Sequence, residues 1–147
     1  MRLVAAVAVA VGTAVGFMGS ALAHHSFEGE FDNSRAVTIN GVVTSVEMIN
    51  PHSWIYLDVT TDGAVERWAL EGPGPFQVQR RGLGFAIKIG DELGACGYLA
   101  RNEVATTKRE PGTGKAARKL QAAVLTTAER GAFVWNSYRQ RKCGLDQ

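Results

Sequence analysis

Motifs for covalent metal and redox chemistry are scarce in this sequence. It has two cysteines, Cys96 and Cys143, and no Cys-x-x-Cys, so zinc ribbons, thioredoxin-type chemistry and covalent haem attachment have no basis. It has three histidines, His24, His25 and His52, and none elsewhere that would serve a core. An excess of one charge is lacking too. The 16 Lys+Arg stand against 14 Asp+Glu, which removes the general electrostatic case for nucleic acid. There is no Gly-x-Ser-x-Gly. Gly114-Lys115 follows no glycine at phosphate-loop spacing, and Ala116 stands where that loop needs Ser or Thr. Glu47, Asp58, Glu66 and Glu71 are scattered, with no pair forced together by spacing, and the chain has no internal repeat. These absences favour a non-enzymatic protein.

What is present begins with a leader. Met1-Arg2 is positive, Leu3 to Phe17 is uncharged and rich in Ala and Val, and Ala21-Leu22-Ala23 has small residues where a signal peptidase reads. The apolar run is about 15 residues, short of the roughly 20 a bilayer span needs. Residues 1–23 therefore read as a signal peptide. We expect export to a bacterial periplasm or beyond, with no stable membrane insertion after cleavage. Loss of Arg2 with the leader would lower the formal net charge from +2 to about +1. In an oxidising compartment the two cysteines permit one disulfide, Cys96 to Cys143.

The remaining length suits one domain. Residues 24–35 read as an arm in which Phe27 and Phe31 can pack against the body, followed by a turn at Asp32-Asn33-Ser34. Residues 36–49 form a β-branched strand, with a bulge or bend expected at Gly41. Asn50-Pro51 breaks it. Residues 54–60 alternate, with Ile55, Leu57 and Val59 on the core face and Trp54, Tyr56 and Asp58 opposite. Asp62-Gly63 signals a hairpin into a third strand at 65–71. A short helix at 76–83, strands at 93–100 and 120–127, and a short strand at 133–135 complete the order. Residues 101–119 read as a charged, basic loop at the same rim as His52. Three strands, one helix and two strands predict an all-β, OB-like Greek-key barrel of five to six strands over residues 36–136, with a basic tail at 137–147. An open β-sandwich is the competing architecture.

The chemistry concentrates at the histidines. After cleavage at Ala23, His24 would carry a free amine beside its imidazole, and these two nitrogens can chelate one ion. A third nitrogen from His25 or His52 would complete a tetragonal set, which favours Cu(II). A terminal amine has an ordinary pKa near 7.7–8.0, low enough for a metal to displace its proton. Glu71 is a candidate supporting or axial oxygen. The alternative is an OB-type module for a small molecule or cell-envelope glycan, with Trp54 and Tyr56 stacking the ligand and Asn50 beside it. A third is an envelope interaction protein whose histidines cap turns. Asn50 and Ser53 are good turn formers, so turn chemistry alone accounts for them.

His24-His25-Ser26-Phe27, Phe31-Asp32, Gly41-Val42-Val43, Asn50-Pro51-His52-Ser53-Trp54, Trp68-Ala69-Leu70-Glu71-Gly72, Gly90-Asp91-Glu92 and Gly97-Tyr98 together resemble the DUF6152 family of exported bacterial proteins of unknown function. The resemblance spans about residues 21 to 101. It implies the compartment and a small β-barrel, but no reaction. The basic, Cys143-bearing tail departs from the family pattern.

Overall fold

The computed structural model describes residues 27–34, 36–83, 87–102, 107–137 and 140–144. The proposed signal peptide, His24 and His25 lie outside the described residues. The elements are α1 (Phe27–Glu30), β1 (Val37–Met48), β2 (Ser53–Thr61), β3 (Ala64–Glu71), α2 (Pro75–Arg80), β4 (Glu92–Leu99), β5 (Lys108–Arg109), β6 (Ala116–Thr127) and β7 (Gly131–Val134), with a 3-10 turn at Gln140–Cys143.

The sheet closes on itself. β1 pairs antiparallel with β2 and with β4, β2 with β3, and β4 with β6. The parallel pairing of β3 with β6, Trp68 opposite Arg118 through Glu71 opposite Gln121, shuts the barrel in the order β1-β2-β3-β6-β4. This is the OB topology, and closure removes the sheet edges that an open sandwich would leave.

Local signals explain most boundaries. Asp62 (φ 51°) and Gly63 (φ 80°) both take left-handed conformations, as the two-residue hairpin turn requires. Pro75 opens α2 and Gly82 (φ 66°) follows its end, so the helix stops at Arg80 rather than running to Leu83. β1 serves both halves of the barrel, pairing with β4 through Val37–Val42 and with β2 through Val42–Met48. The register shift falls between Val43 and Ser45, not at Gly41. Gly41 has a different role: a Cβ there would lie 2.5 Å from the Asp58 carbonyl oxygen.

Ile55, Leu57 and Val59 enter the barrel core with Val43, Trp68, Leu70, Leu93, Leu120, Leu125 and Trp135. Each large side chain buried this way contributes about 1.5–3 kcal/mol before entropy is counted. Trp54 and Tyr56 face the other side, as their alternation implies, but they are not exposed. With Ala69 and Ala117 they form a second cluster.

One expectation needs correction here. Over its residues 107–119 the 101–119 segment is not a free basic loop. Lys108 and Arg109 pair with Ala117 and Ala116, so β6 starts four residues before Leu120. Glu110 is buried, ion-paired to Arg67, and accepts hydrogen bonds from the hydroxyls of Thr44 (2.8 Å) and Thr113 (2.6 Å). Residues 107–115 thus form a strap. The C-terminal segment is tied to the barrel. Cys143 is bonded to Cys96 on β4, with S–S 2.06 Å, and Lys142 Nζ donates to the carbonyls of Asn33 (2.9 Å) and Ser34 (2.6 Å).

Candidate functional site

His52 sits between the cis Asn50–Pro51 bond and the start of β2. The loop is pinned to the end of β3 by two backbone hydrogen bonds, Ser53 N to the Pro73 carbonyl and Gly72 N to the Ser53 carbonyl. That pinning brings the imidazole to β3. Nδ1 lies 3.2 Å from the Gly72 carbonyl oxygen and 3.5 Å from Glu71 Oε1. Both neighbours accept only, so in the neutral ring Nδ1 carries the proton. Nε2 keeps its lone pair, and among the described residues nothing pairs with it. The side chain is 35% exposed, so that nitrogen is reachable.

Behind the histidine runs a chain of charges. Glu71 Oε2 is 3.2 Å from Lys119 Nζ, and Lys119 also pairs with Glu30 at the end of α1. All three side chains are close to nine-tenths buried. The lysine lies 5.2 Å from the Trp54 ring centre and 5.5 Å from that of Phe31, contacts that favour a cation. The arm is held to the barrel around this point. Phe27 stacks on Phe31 at 5.4 Å and meets Tyr98 edge-on at 5.6 Å, while Phe31 bridges to Ala100. Arg101 N donates to the Glu30 carbonyl at 2.8 Å.

The expected residues therefore divide. His52 and Glu71 come together. Asn50 is exposed beside them, and among the described residues its side chain has no partner. Trp54 and Tyr56 cannot offer a stacking face here, because the strap covers it. Lys108 Nζ sits 4.6 Å from the Trp54 ring centre, and the Tyr56 hydroxyl donates to Glu47 Oε2 at 3.1 Å. Burial, reinforced by Glu47 and Glu110, pushes the Tyr56 phenol well above its ordinary pKa. Arg67 is likewise held more firmly protonated, first by its hydrogen bonds to Asp58. Glu30 and Lys119 belong to the site but were not singled out in the sequence. They stand 89 positions apart, and no spacing rule links them.

Among the described residues, no group of three or more His, Cys, Asp or Glu side chains is placed to hold a metal. Nor is any helix there long and apolar enough to cross a membrane. A separate groove of about 580 Å³ opens where β1 parts from β2, lined by Asn40, Val42, Asp58, Thr60 and Glu92 among others.

The family of unknown function DUF6152 matches residues 13–109. The chain belongs to that family. The match takes in His24, His25, His52 and Glu71 of this DUF6152 protein and stops before β6, the strand that closes its barrel. No curated protein matches it. Among solved structures, the small single-stranded DNA-binding protein from Streptomyces coelicolor is similar at 18% identity and a TM-score of 0.45, over 66% of this chain and 96% of that one.

Proposed function

We propose that this is an exported, periplasmic, non-enzymatic protein that binds a transition metal, with copper favoured, through His52 and the histidines of its mature N-terminus. The observation that carries the reading is the imidazole of His52, with Nδ1–H donated to the Gly72 carbonyl, Glu71 alongside, and Nε2 open. Metal-binding histidines are oriented this way, by a carbonyl or carboxylate on the ring nitrogen that does not bind. The arm supports the same reading. Glu30 reaches the lysine that reaches Glu71, and His25 and His24 stand two and three residues before Phe27. At full extension those intervals span about 7 and 10 Å. His24 would bind through amine and imidazole, His52 through Nε2, and His25 would serve as the alternative imidazole. No nucleic acid enters this reading.

Isothermal titration of Cu(II) into the chain beginning at His24 tests it. We expect binding tighter than micromolar. His52→Ala should weaken it by at least about tenfold, and so should one extra residue ahead of His24. Weaker binding in the parent chain, or equal binding after His24→Ala with His52→Ala, overturns the proposal.

The groove at Asn40 and Glu92 favours a second reading, a module for a polar small molecule or envelope glycan. That site would be lined by hydroxyl, amide and carboxylate groups rather than by Trp54 and Tyr56. Glycan fragments should then shift the resonances of Val42 and Glu92 while leaving His52 unchanged. Unmoved Val42 and Glu92 resonances would reject it.

A further inference from the structure

A cleft of about 380 Å³ lies between α2 and the segment that follows β7, and its lining is Gln77, Arg80, Arg81 and Ser137. Every one of these side chains can donate a hydrogen bond, and none is acidic. Among the described residues neither arginine has an ion pair, although the two are adjacent in sequence. Arg80 packs its guanidinium 5.7 Å from the Phe76 ring centre, and Arg81 Nη1 donates to the Trp135 carbonyl at 3.1 Å. The Arg81 contact matters most. It fixes one edge of the guanidinium on a β7-proximal carbonyl and leaves its other donors for the cleft. Arg80 is held by an aromatic face, and its in-plane N–H groups have no partner among the described residues. The Ser137 hydroxyl has no partner among the described residues.

Elsewhere in this barrel several cations have found a carboxylate. Arg67 holds Asp58 and Glu110, Arg118 holds Glu66, and Lys119 holds Glu30 and Glu71. Arg80 and Arg81 both line the cleft with no carboxylate among its lining residues, so an anion entering it meets unopposed positive charge. Forked guanidinium donors match the oxygens of a tetrahedral oxyanion, and a phosphate can accept from both arginines together.

From this we infer that Gln77, Arg80, Arg81 and Ser137 form a binding site for a phosphate group. The cleft has room for more than the bare ion, so the group belongs to a small phosphate ester or to a phospholipid headgroup. Phe76, 67% exposed beside Arg80, stands where the rest of such a ligand would lie. The site is independent of His52 and of any metal.

The test uses the chain beginning at His24, followed by amide NMR at constant ionic strength while inorganic phosphate replaces chloride. Resonances of Gln77, Arg80, Arg81 and Ser137 should move saturably, and Arg80→Gln should weaken binding by about tenfold or more, the loss expected for a hydrogen bond to a charged group. Arg80 is exposed and makes no hydrogen bond among the described residues, so its replacement should leave the fold intact. Ser137→Ala gives a second, milder variant. Vesicles of phosphatidylglycerol, set against phosphatidylcholine, separate the sources. Arg80-dependent binding to the anionic vesicles alone assigns a lipid headgroup, and phosphate binding without vesicle binding assigns a soluble ester. Shifts that follow chloride and phosphate alike, or that survive Arg80→Gln with Ser137→Ala, overturn the site.

Discussion

Removing the cation from beneath the strap should cost more than removing the anion. Glu110 is the strap's anchor, with its side chain 2% exposed, and Arg67 is its counter-ion, 10% exposed. Arg67 also holds Asp58 by two bonds, Nε to Oδ1 at 2.6 Å and Nη2 to Oδ2 at 2.9 Å. In Arg67→Met the buried Glu110 carboxylate keeps only the hydroxyls of Thr44 and Thr113. Breaking a buried pair from one side costs about 3–5 kcal/mol. The two hydroxyls retain part of the charge stabilisation, so about 3 kcal/mol is expected. In Glu110→Gln the guanidinium keeps Asp58, and the amide oxygen can still accept, so the cost should be about 1–2 kcal/mol. For a domain of this size, about 3 kcal/mol lowers Tm by roughly 10–15 °C. Urea denaturation gives the two energies, and hydrogen exchange of the amides of residues 108–117 reads the strap directly. Arg67→Met should raise strap exchange before global unfolding and let acrylamide reach Trp54. If both variants cost the same and less than about 1 kcal/mol, or if strap exchange stays at the parent rate, the strap is not held by this pair.

Tyr56 gives a pH-dependent outcome. Its folded pKa lies above the ordinary 10.0, so the folded protein keeps a proton that the unfolded chain releases. Stability from this group is complete below pH 10 and falls as pH rises above it. Tyr56→Phe should flatten the stability loss above pH 10, and tyrosinate absorbance at 295 nm should show one phenol ionising only with unfolding. Gly72→Ala tests the barrel end. A Cβ there would fall 2.0 Å from the buried Trp135 indole nitrogen, so the ring must move, at a cost of about 1–3 kcal/mol and with altered tryptophan fluorescence.

The strands with strict alternation were legible because one face of each meets the barrel core. The parity of Ile55, Leu57 and Val59 against Trp54, Tyr56 and Asp58 needs only the period of a strand. Asp62-Gly63 and Pro75 needed only their own backbone preferences. The start of β6 was not legible. Ala116-Ala117-Arg118-Lys119 looks like the end of a charged loop, yet Arg118 lies over the Trp68 ring at 4.5 Å and Lys119 is nearly buried between two glutamates. A cation reads as solvated until its anion is placed, and here the anions lie 52, 48 and 89 positions away. The same limit hid Glu110. Its burial depends on Arg67, and sequence distance carries no information about that contact. Trp54 and Tyr56 were assigned to the correct face, but the strap that covers them was itself read as solvated.

Near-zero net charge is an average over local sites of opposite sign. The ion-pair chain behind His52 is Glu71, Lys119 and Glu30, two carboxylates sharing one ammonium, and Lys108 over Trp54 is offset by Glu47, so a cation arriving at Nε2 meets a negative surplus. Between α2 and Ser137 the described lining holds two guanidiniums and no carboxylate, so an anion meets a positive one. Composition excludes a field that acts over the whole molecule, because such a field scales with the total. It excludes nothing acting over a few ångströms, where Coulomb energy depends on which side chains the barrel has left unpaired. The two proposals therefore predict opposite responses to one perturbation. Lys119→Met should strengthen cation binding at His52 and leave phosphate binding unchanged. Arg80→Gln should abolish much of the phosphate affinity and leave the metal titration where it was. A long-range effect of either substitution on the other site would mean that the molecule responds to its total charge and that the two sites are not independent.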